Sequence, residues 1–432
     1  MKKKKVLILS YYFPPANMTA SERIQSWARF LGKHGYYPVI VTRNWDVDVK
    51  NSADLVRPSG HEIIHKKHDD YEVYYVPYKA SLKDKALLRF YGRSVYPVYL
   101  GLAFLYGIKE VITDWGSPLL PLYKQAEKLL QVDSSEWHAL IVSGNPFELF
   151  HFGYRLHKQF DIPWIADYRD DWTTNEVHLS SNFFKRLIQK LSRKAELRWV
   201  GSAAAFISVS SHYVQKINSL FPTKPGYVLL NGYLAENYTQ TAASTGTFTI
   251  CYTGSLYPKQ PIEIFLKAFC RFYSNYPHVK MIFVGIATDY ELIQRIRRAI
   301  VGYEEAFVFT ERVSKEQAIA YQQSASVLLA VAHKDTKGTP GSKLYEYIAL
   351  QKPVLVCPTD HEIIEDTLRE TGQGIFANDV ESCYQQLIIL HERFQKGDLN
   401  AIKTPVSVYA KYSREGQVNI LADILHQLQP YR

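Results

Sequence analysis

Residues 338–346 read Gly-Thr-Pro-Gly-Ser-Lys-Leu-Tyr-Glu, and the spacing predicts a loop that turns helical at Ser342. The first turn of a helix presents unbonded N–H groups and the positive end of the helix dipole to an anion. Lys343 adds a full positive charge where the dipole alone favours an acid, which points to an anionic partner. Glu346 has the two acceptor oxygens that hold a vicinal diol such as a ribose. The segment thus has parts for both halves of a nucleotide diphosphate. The competing reading is structural, with Ser342 as the cap and Glu346 suiting the dipole. A capping box from Ser342 would need its acid at position 345, which is Tyr345.

Other phosphate-binding patterns are absent. The stretch after the first strand, Tyr11 to Ala20, holds no glycine, so the dinucleotide fingerprint that brings backbone to a pyrophosphate is missing. No Gly-x-x-x-x-Gly-Lys-Ser/Thr occurs, which excludes a P-loop. His151 follows Asn145-Pro-Phe147 at an expected helix start, either as a ligand of substrate or as a satisfied structural histidine. Asp167, Arg169, Asp170 and Asp171 fall just past a strand's carboxyl end. They either orient a substrate hydroxyl or pair among themselves. Asp-Tyr-Arg-Asp is not an Asp-x-Asp metal motif, and no metal is expected.

Positioning these groups falls to an α/β scaffold. Val6-Leu-Ile-Leu-Ser10 is a continuous apolar run of the buried parallel type. Thr19-Ala-Ser-Glu22 has the capping-box pattern, and Ile24, Trp27, Ala28 and Leu31 follow at helical spacing. Further strands are predicted at 37–42, 139–143, 164–167, 205–210 and 227–230. A second series begins after the polar stretch Asn231–Gly246, at 248–252, 280–284, 306–310, 327–331 and 353–357. The alternation with helical patterns predicts two doubly wound, Rossmann-like domains, with ligands in a cleft between the sheets' carboxyl ends. The expected division is 1–235, joined by a C-terminal helix at 412–432, and 236–411.

Composition narrows the class. A chain of 432 residues exceeds one typical core and suits two domains. With 47% hydrophobic and 22% charged residues it is globular rather than disordered. Four cysteines lie far apart without a Cys-x-x-Cys pair, which fits a reducing cytoplasm rather than a disulfide framework or zinc site. The apolar run after Met1–Lys5 is too short for a signal peptide, and none is long enough to span a bilayer. The net charge of +9 fits an anionic ligand, an acidic lipid surface or nucleic acid without separating them; no nucleic-acid recognition motif is present. Lys83, Lys85, Arg89 and Arg93 form one basic stretch, and 182–194 another that is amphipathic. The latter reads either as a packed helix with a solvated basic face or as a contact for an anionic membrane or a lipid diphosphate.

Taken in order, these motifs resemble the retaining glycosyltransferase family 4 (group 1), bacterial polysaccharide-type members, whose two domains form the GT-B fold. Tyr11-Tyr-Phe-Pro-Pro15 with Arg23 resembles the family's first loop and helix, and Ser143-Gly-Asn-Pro-Phe147 with His151 its Ser-x-Pro-Pro…His segment. Pro163-Trp-Ile-Ala-Asp-Tyr-Arg-Asp170 with Trp172, Asn231-Gly-Tyr233 and Tyr252-Thr-Gly-Ser-Leu-Tyr257 follow the family's pattern, and the stretch from Gly341 to Pro353 resembles its donor-site helix. The chain departs where the family's first acid falls on Gly338, and where its phosphate-binding Arg and Lys fall on Ser255 and Gln260, with Lys259 displaced by one.

The resemblance implies transfer of a hexose-type sugar from a UDP- or GDP-sugar to a glycan or lipid-diphosphate-linked acceptor, with retention and without a cofactor. It implies donor contacts at Gly254, Ser255, Lys259, Gly341, Ser342, Lys343, Leu344 and Glu346. His151, Asp167 and Arg169 are the expected catalytic residues, and Pro15, Asn17 and Arg23 the expected acceptor-side loop. Action in the cytoplasm, at the inner face of the membrane, is the expected setting. A sugar-nucleotide 2-epimerase of the same fold and a binding protein without turnover are the alternatives.

Overall fold

The computed structural model describes residues 3–46, 49, 53–90, 105, 117–132, 134–174, 183–238, 246–287, 289–332, 341–399 and 404–428. The chain divides into two compact units. The first comprises Met1–Leu230 with Gln417–Arg432, and the second Asn231–Gly416. The polar stretch at 231–246 therefore opens the second unit.

The first unit is built on β1 (Lys4–Ser10), β2 (Tyr36–Arg43), β3 (Ile64–Lys67), β4 (Glu72–Val76), β5 (Trp137–Ser143), β6 (Trp164–Tyr168), β7 (Ala205–Ser208) and β8 (Gly226–Val228). They lie in the order β3-β4-β2-β1-β5-β6-β7-β8, parallel except for β3 against β4. Its helices are α1 (Thr19–Phe30), α2 (Leu82–Phe90), α3 (Leu120–Val132), α4 (Leu149–Phe160), α5 (Phe183–Val200) and α6 (Ser211–Asn218). β1 shows why the apolar run predicts a central strand: Leu7 and Leu9 enter the core on one face, Val6 and Ile8 that on the other.

The second unit holds β9 (Thr249–Thr253), β10 (Lys280–Val284), β11 (Phe307–Phe309), β12 (Val327–Ala330), β13 (Val354–Val356) and β14 (Gly374–Phe376), all parallel, in the order β11-β10-β9-β12-β13-β14. Its helices are α7 (Glu263–Asn275), α8 (Tyr290–Ala299), α9 (Lys315–Ser324), α10 (Ser342–Leu350), α11 (Ile363–Glu370), α12 (Val380–Gln395) and α13 (Val406–Lys411). The C-terminal helix α14 (Arg414–Gln427) buries Val418, Leu421 and Leu425 against the same cluster as Val6 and Ile8 of β1. Removing Leu421 to alanine would cost about 2–5 kcal/mol at such a site.

One local expectation is corrected. Thr19 is not a cap: α1 has Met18 at its N-cap with no side-chain cap bond, so Thr19 is already helical. The edge pair β3–β4 and the short β14 were not expected. All four β3 residues are exposed, including Lys66 and Lys67, which suits a sheet edge and leaves no apolar run to read.

Candidate functional site

In the second unit, the ends of β9 and β12 and the start of α10 surround a cavity of about 340 Å³. Tyr252 and Ser255 come from the β9 end, Val331 from the β12 end, and Gly341, Lys343 and Leu344 from the helix start. Gly341 is the N-cap, in extended backbone and without a side-chain cap bond; Ser342 opens the helix.

Lys343 is the one cation among the described residues that line this cavity. Its ammonium donates to the Ser255 carbonyl at 3.0 Å and to the Tyr252 hydroxyl at 3.3 Å. Tyr252 in turn donates to the same carbonyl at 2.9 Å. Burial lowers the Lys343 pKa to about 8, against a smaller upward pull from Glu346. Gly254 makes room for this arrangement. It sits at φ +76°, and a Cβ there would lie 2.8 Å from Lys343 Cε.

Glu346 is not among the lining residues. It lies one turn along α10, where Gln322 Nε2 donates to its Oε2 at 3.2 Å and to Thr253 Oγ1 at 2.9 Å. Gln322 is fully buried and joins α9, α10 and the end of β9. Sequence reasoning missed it, because one amide in the polar run Tyr321-Gln-Gln-Ser324 gives no signal. Tyr252, quoted only as part of a motif, was missed as a site residue too. Lys259 is exposed on the loop after β9 and does not line the cavity. Gln260 is buried instead; its side chain accepts from Tyr257 N at 2.8 Å and donates to the Val331 carbonyl. Gly338 lies outside the described residues.

In the first unit the structure separates the expected catalytic group. Asp167 and Arg23 form a buried ion pair at 2.9 Å, with side chains 0% and 2% exposed. Ser143 Oγ donates to Asp167 at 2.7 Å, and Arg23 donates to the Leu229 and Leu230 carbonyls. Both side chains, Asp167 expected as a catalytic group and Arg23 as an acceptor contact, are thus closed to solvent and engaged with each other. Burial of a strand-end carboxylate demands a partner, and α1 supplies it. Arg169 donates to the Gly144 and Asn145 carbonyls at 3.0 and 2.9 Å, so it braces the loop after β5. Burial lowers its pKa, with Asp167 and Asp170 opposing.

His151 stacks on Trp199 at 4.7 Å, the end of a column in which Trp199 stacks on Trp172 and Trp172 on Phe147. Phe147, Trp172 and Trp199 wall a second cavity of about 620 Å³ in this unit, and His151 is not among its lining residues. Pro15 is exposed, and Asn17 is tied to Val49, donating to its carbonyl and accepting from its N–H.

Residues 235–387 match the family model of glycosyl transferases group 1. That span lies within the second unit. The cavity, Lys343 and Glu346 all lie within the matched span. No curated protein matches the chain by sequence. Solved structures match it along nearly its whole length and show the GT-B fold. Sucrose-phosphate synthase from Thermosynechococcus elongatus matches with TM-score 0.64 at 13% identity, covering 98% of this chain and 99% of that one. HepE of Anabaena, in complex with UDP and glucose, matches with TM-score 0.58 at 12% identity over 98% and 100%. A trehalose-phosphate synthase (UDP-forming) from Burkholderia xenovorans, in complex with glucose-6-phosphate, matches with TM-score 0.61 at 10% identity over 98% and 100%.

Proposed function

We propose that this chain moves a hexose-type sugar from a uridine or guanosine diphosphate sugar to a glycan or lipid-linked acceptor, with retention and without a metal. The observation that carries the reading is Lys343, desolvated in the first turn of α10 behind the N-cap Gly341 and lining a cavity inside the group 1 span. The bond between the anomeric carbon and the diphosphate oxygen breaks, and its electron pair leaves with the phosphate. The Lys343 ammonium and the positive end of the α10 dipole stabilise that charge; one such donor is worth about 10²–10³ in kcat. The acceptor hydroxyl attacks from the same face and gives its proton to the departing phosphate. Glu346, held by Gln322, takes the ribose diol.

The motif order supports placement in glycosyltransferase family 4, among enzymes that build bacterial polysaccharides. UDP in the Anabaena structure supports uridine as the first base to test. Four buried thiols support a reducing compartment, the cytoplasm. The test is release of nucleoside diphosphate from a panel of UDP- and GDP-sugars with and without acceptors. Release that requires an acceptor is expected. Binding of a sugar nucleotide without release across the panel overturns the reading, and so does conversion of the donor without any acceptor.

A further inference from the structure

The loop from Gly254 to Ile262 joins β9 to α7 and lines the second unit's cavity with Ser255, Tyr257 and Gln260. None of these three is charged, so at the cavity the loop acts through the groups it places. Its Ser255 carbonyl accepts from the Lys343 ammonium at 3.0 Å. Gln260 fastens the loop to the end of β12 by donating to the Val331 carbonyl. Pro258 and Pro261 have no N–H, so two residues of the loop cannot tie their own backbone down by donating. Their stretch of chain has to be held from outside.

α8 supplies that hold. It carries Arg295, Arg297 and Arg298, of which the last two are exposed. Arg295 is turned to the loop instead. Its Nη1 donates to the Pro258 carbonyl at 3.2 Å and its Nη2 to the Gln260 carbonyl at 2.8 Å. The same guanidinium donates from Nε to Glu263 Oε1 at 2.6 Å and from Nη2 to Oε2 at 2.7 Å. Those bonds hold the Glu263 carboxyl below its ordinary pKa. Glu263 is the first residue of α7, so one planar fork fixes both the loop and the helix it leads into. With side chains 27% and 38% exposed, the ion pair alone adds little stability. What it adds is a fixed loop. We propose that Arg295 is a positioning residue for the donor diphosphate, fixing the loop so that the Ser255 carbonyl sets the Lys343 ammonium at the anion site. The proposal rests on the glycosyltransferase reading above and extends it to a residue that is not among those lining the cavity.

UDP, GDP and their nucleosides are titrated calorimetrically into the full chain and two variants at several pH values, with melting temperatures recorded alongside. Arg295→Met keeps the aliphatic stem and removes every donor. It loses about tenfold in diphosphate affinity while nucleoside affinity holds. With the Ser255 carbonyl displaced the ammonium is less desolvated, so the pH above which diphosphate affinity falls moves up from about 8 towards the ordinary lysine value. Arg295→Lys keeps a positive charge opposite Glu263, and with it the melting temperature. One ammonium cannot span the fork, so its diphosphate affinity stays reduced. Wild-type diphosphate affinity in Arg295→Lys would make Arg295 an ion-pair partner only and overturn the proposal. Losses shared equally by diphosphate and nucleoside overturn it too, as does a pH break that stays where it is in the wild type. No diphosphate binding to the wild type removes the glycosyltransferase reading and the proposal with it. Bound diphosphate with indifferent variants removes the role of Arg295 alone.

Discussion

The Lys343 ammonium lies 4.5 Å from the centre of the Tyr252 ring and hydrogen-bonds that ring's hydroxyl at 3.3 Å. Its two hydrogen-bond acceptors among the described residues, Tyr252 Oη and Ser255 O, are both neutral. A desolvated cation bonded to neutral oxygens is poised for an anion, and its titration reports the arrival of one.

The Lys343 pKa is lowered to about 8, so the group loses its proton well before an ordinary lysine. A bound diphosphate favours the charged form and raises that pKa again. Diphosphate affinity is then level between about pH 7 and 8, where the terminal phosphate is already doubly ionised, and falls by up to about tenfold per pH unit above pH 8. Calorimetry of UDP at pH 8.5 in two buffers of different ionisation enthalpy should show proton uptake, and uridine should show none.

The same depressed pKa works against stability when no ligand is present. Its cost is fully present below the folded value near 8 and disappears as pH rises towards the unfolded value. Lys343→Met should therefore raise the melting temperature of the ligand-free chain at pH 7 and leave it nearly unchanged at pH 10. A lower melting temperature at pH 7 would mean that the lysine's contacts outweigh its desolvation.

Gly254 has φ +76°, and the space beside it is taken by Lys343 Cε. Gly254→Ala should cost about 1–3 kcal/mol of stability by urea denaturation. It should also displace the ammonium, so UDP affinity falls by more than uridine affinity. A stability loss with unchanged UDP affinity would separate the glycine from the anion site.

Gln322 holds the Glu346 carboxylate at 3.2 Å from a fully buried position. Gln322→Leu keeps the volume and removes the bond, which is worth about 0.5–1.5 kcal/mol. Donor KM should rise by about twofold to tenfold with kcat little changed. Glu346→Ala should abolish detectable donor binding with the fold intact. A kcat loss at constant KM in Gln322→Leu would contradict a positioning role through the ribose.

Arg23 and Asp167, 144 positions apart, pair at 2.9 Å inside the first unit. Removing one partner of a buried pair costs about 3–5 kcal/mol, so Arg23→Met or Asp167→Asn should shift urea unfolding strongly. UDP affinity at the second unit should stay the same. A single variant of normal stability would return Asp167 to the list of catalytic candidates.

The sheets were largely legible because their central strands are unbroken apolar runs such as Val6–Leu9, buried on both faces. The edge strand β3 was not, since its exposed residues, two of them lysines, carry no burial pattern. The helix start beside the cavity was readable from Gly341 and Lys343, which lie two positions apart in the chain. The sequence left two fates open for Asp167, and only the fold, which brings α1 beneath β6, decides for the ion pair. Gln322 was invisible for a related reason: a buried amide is recognisable only by the groups that surround it. His151 carries the same lesson, because its stacking partner Trp199 lies a whole helix away.

The most direct measurement is a calorimetric titration of UDP, GDP and their nucleosides into the wild-type chain and Lys343→Ala. At least one diphosphate should bind the wild type, and the variant should lose about 10- to 100-fold in diphosphate affinity while nucleoside affinity holds. Equal losses for diphosphate and nucleoside, or no diphosphate binding to the wild type, would contradict the account.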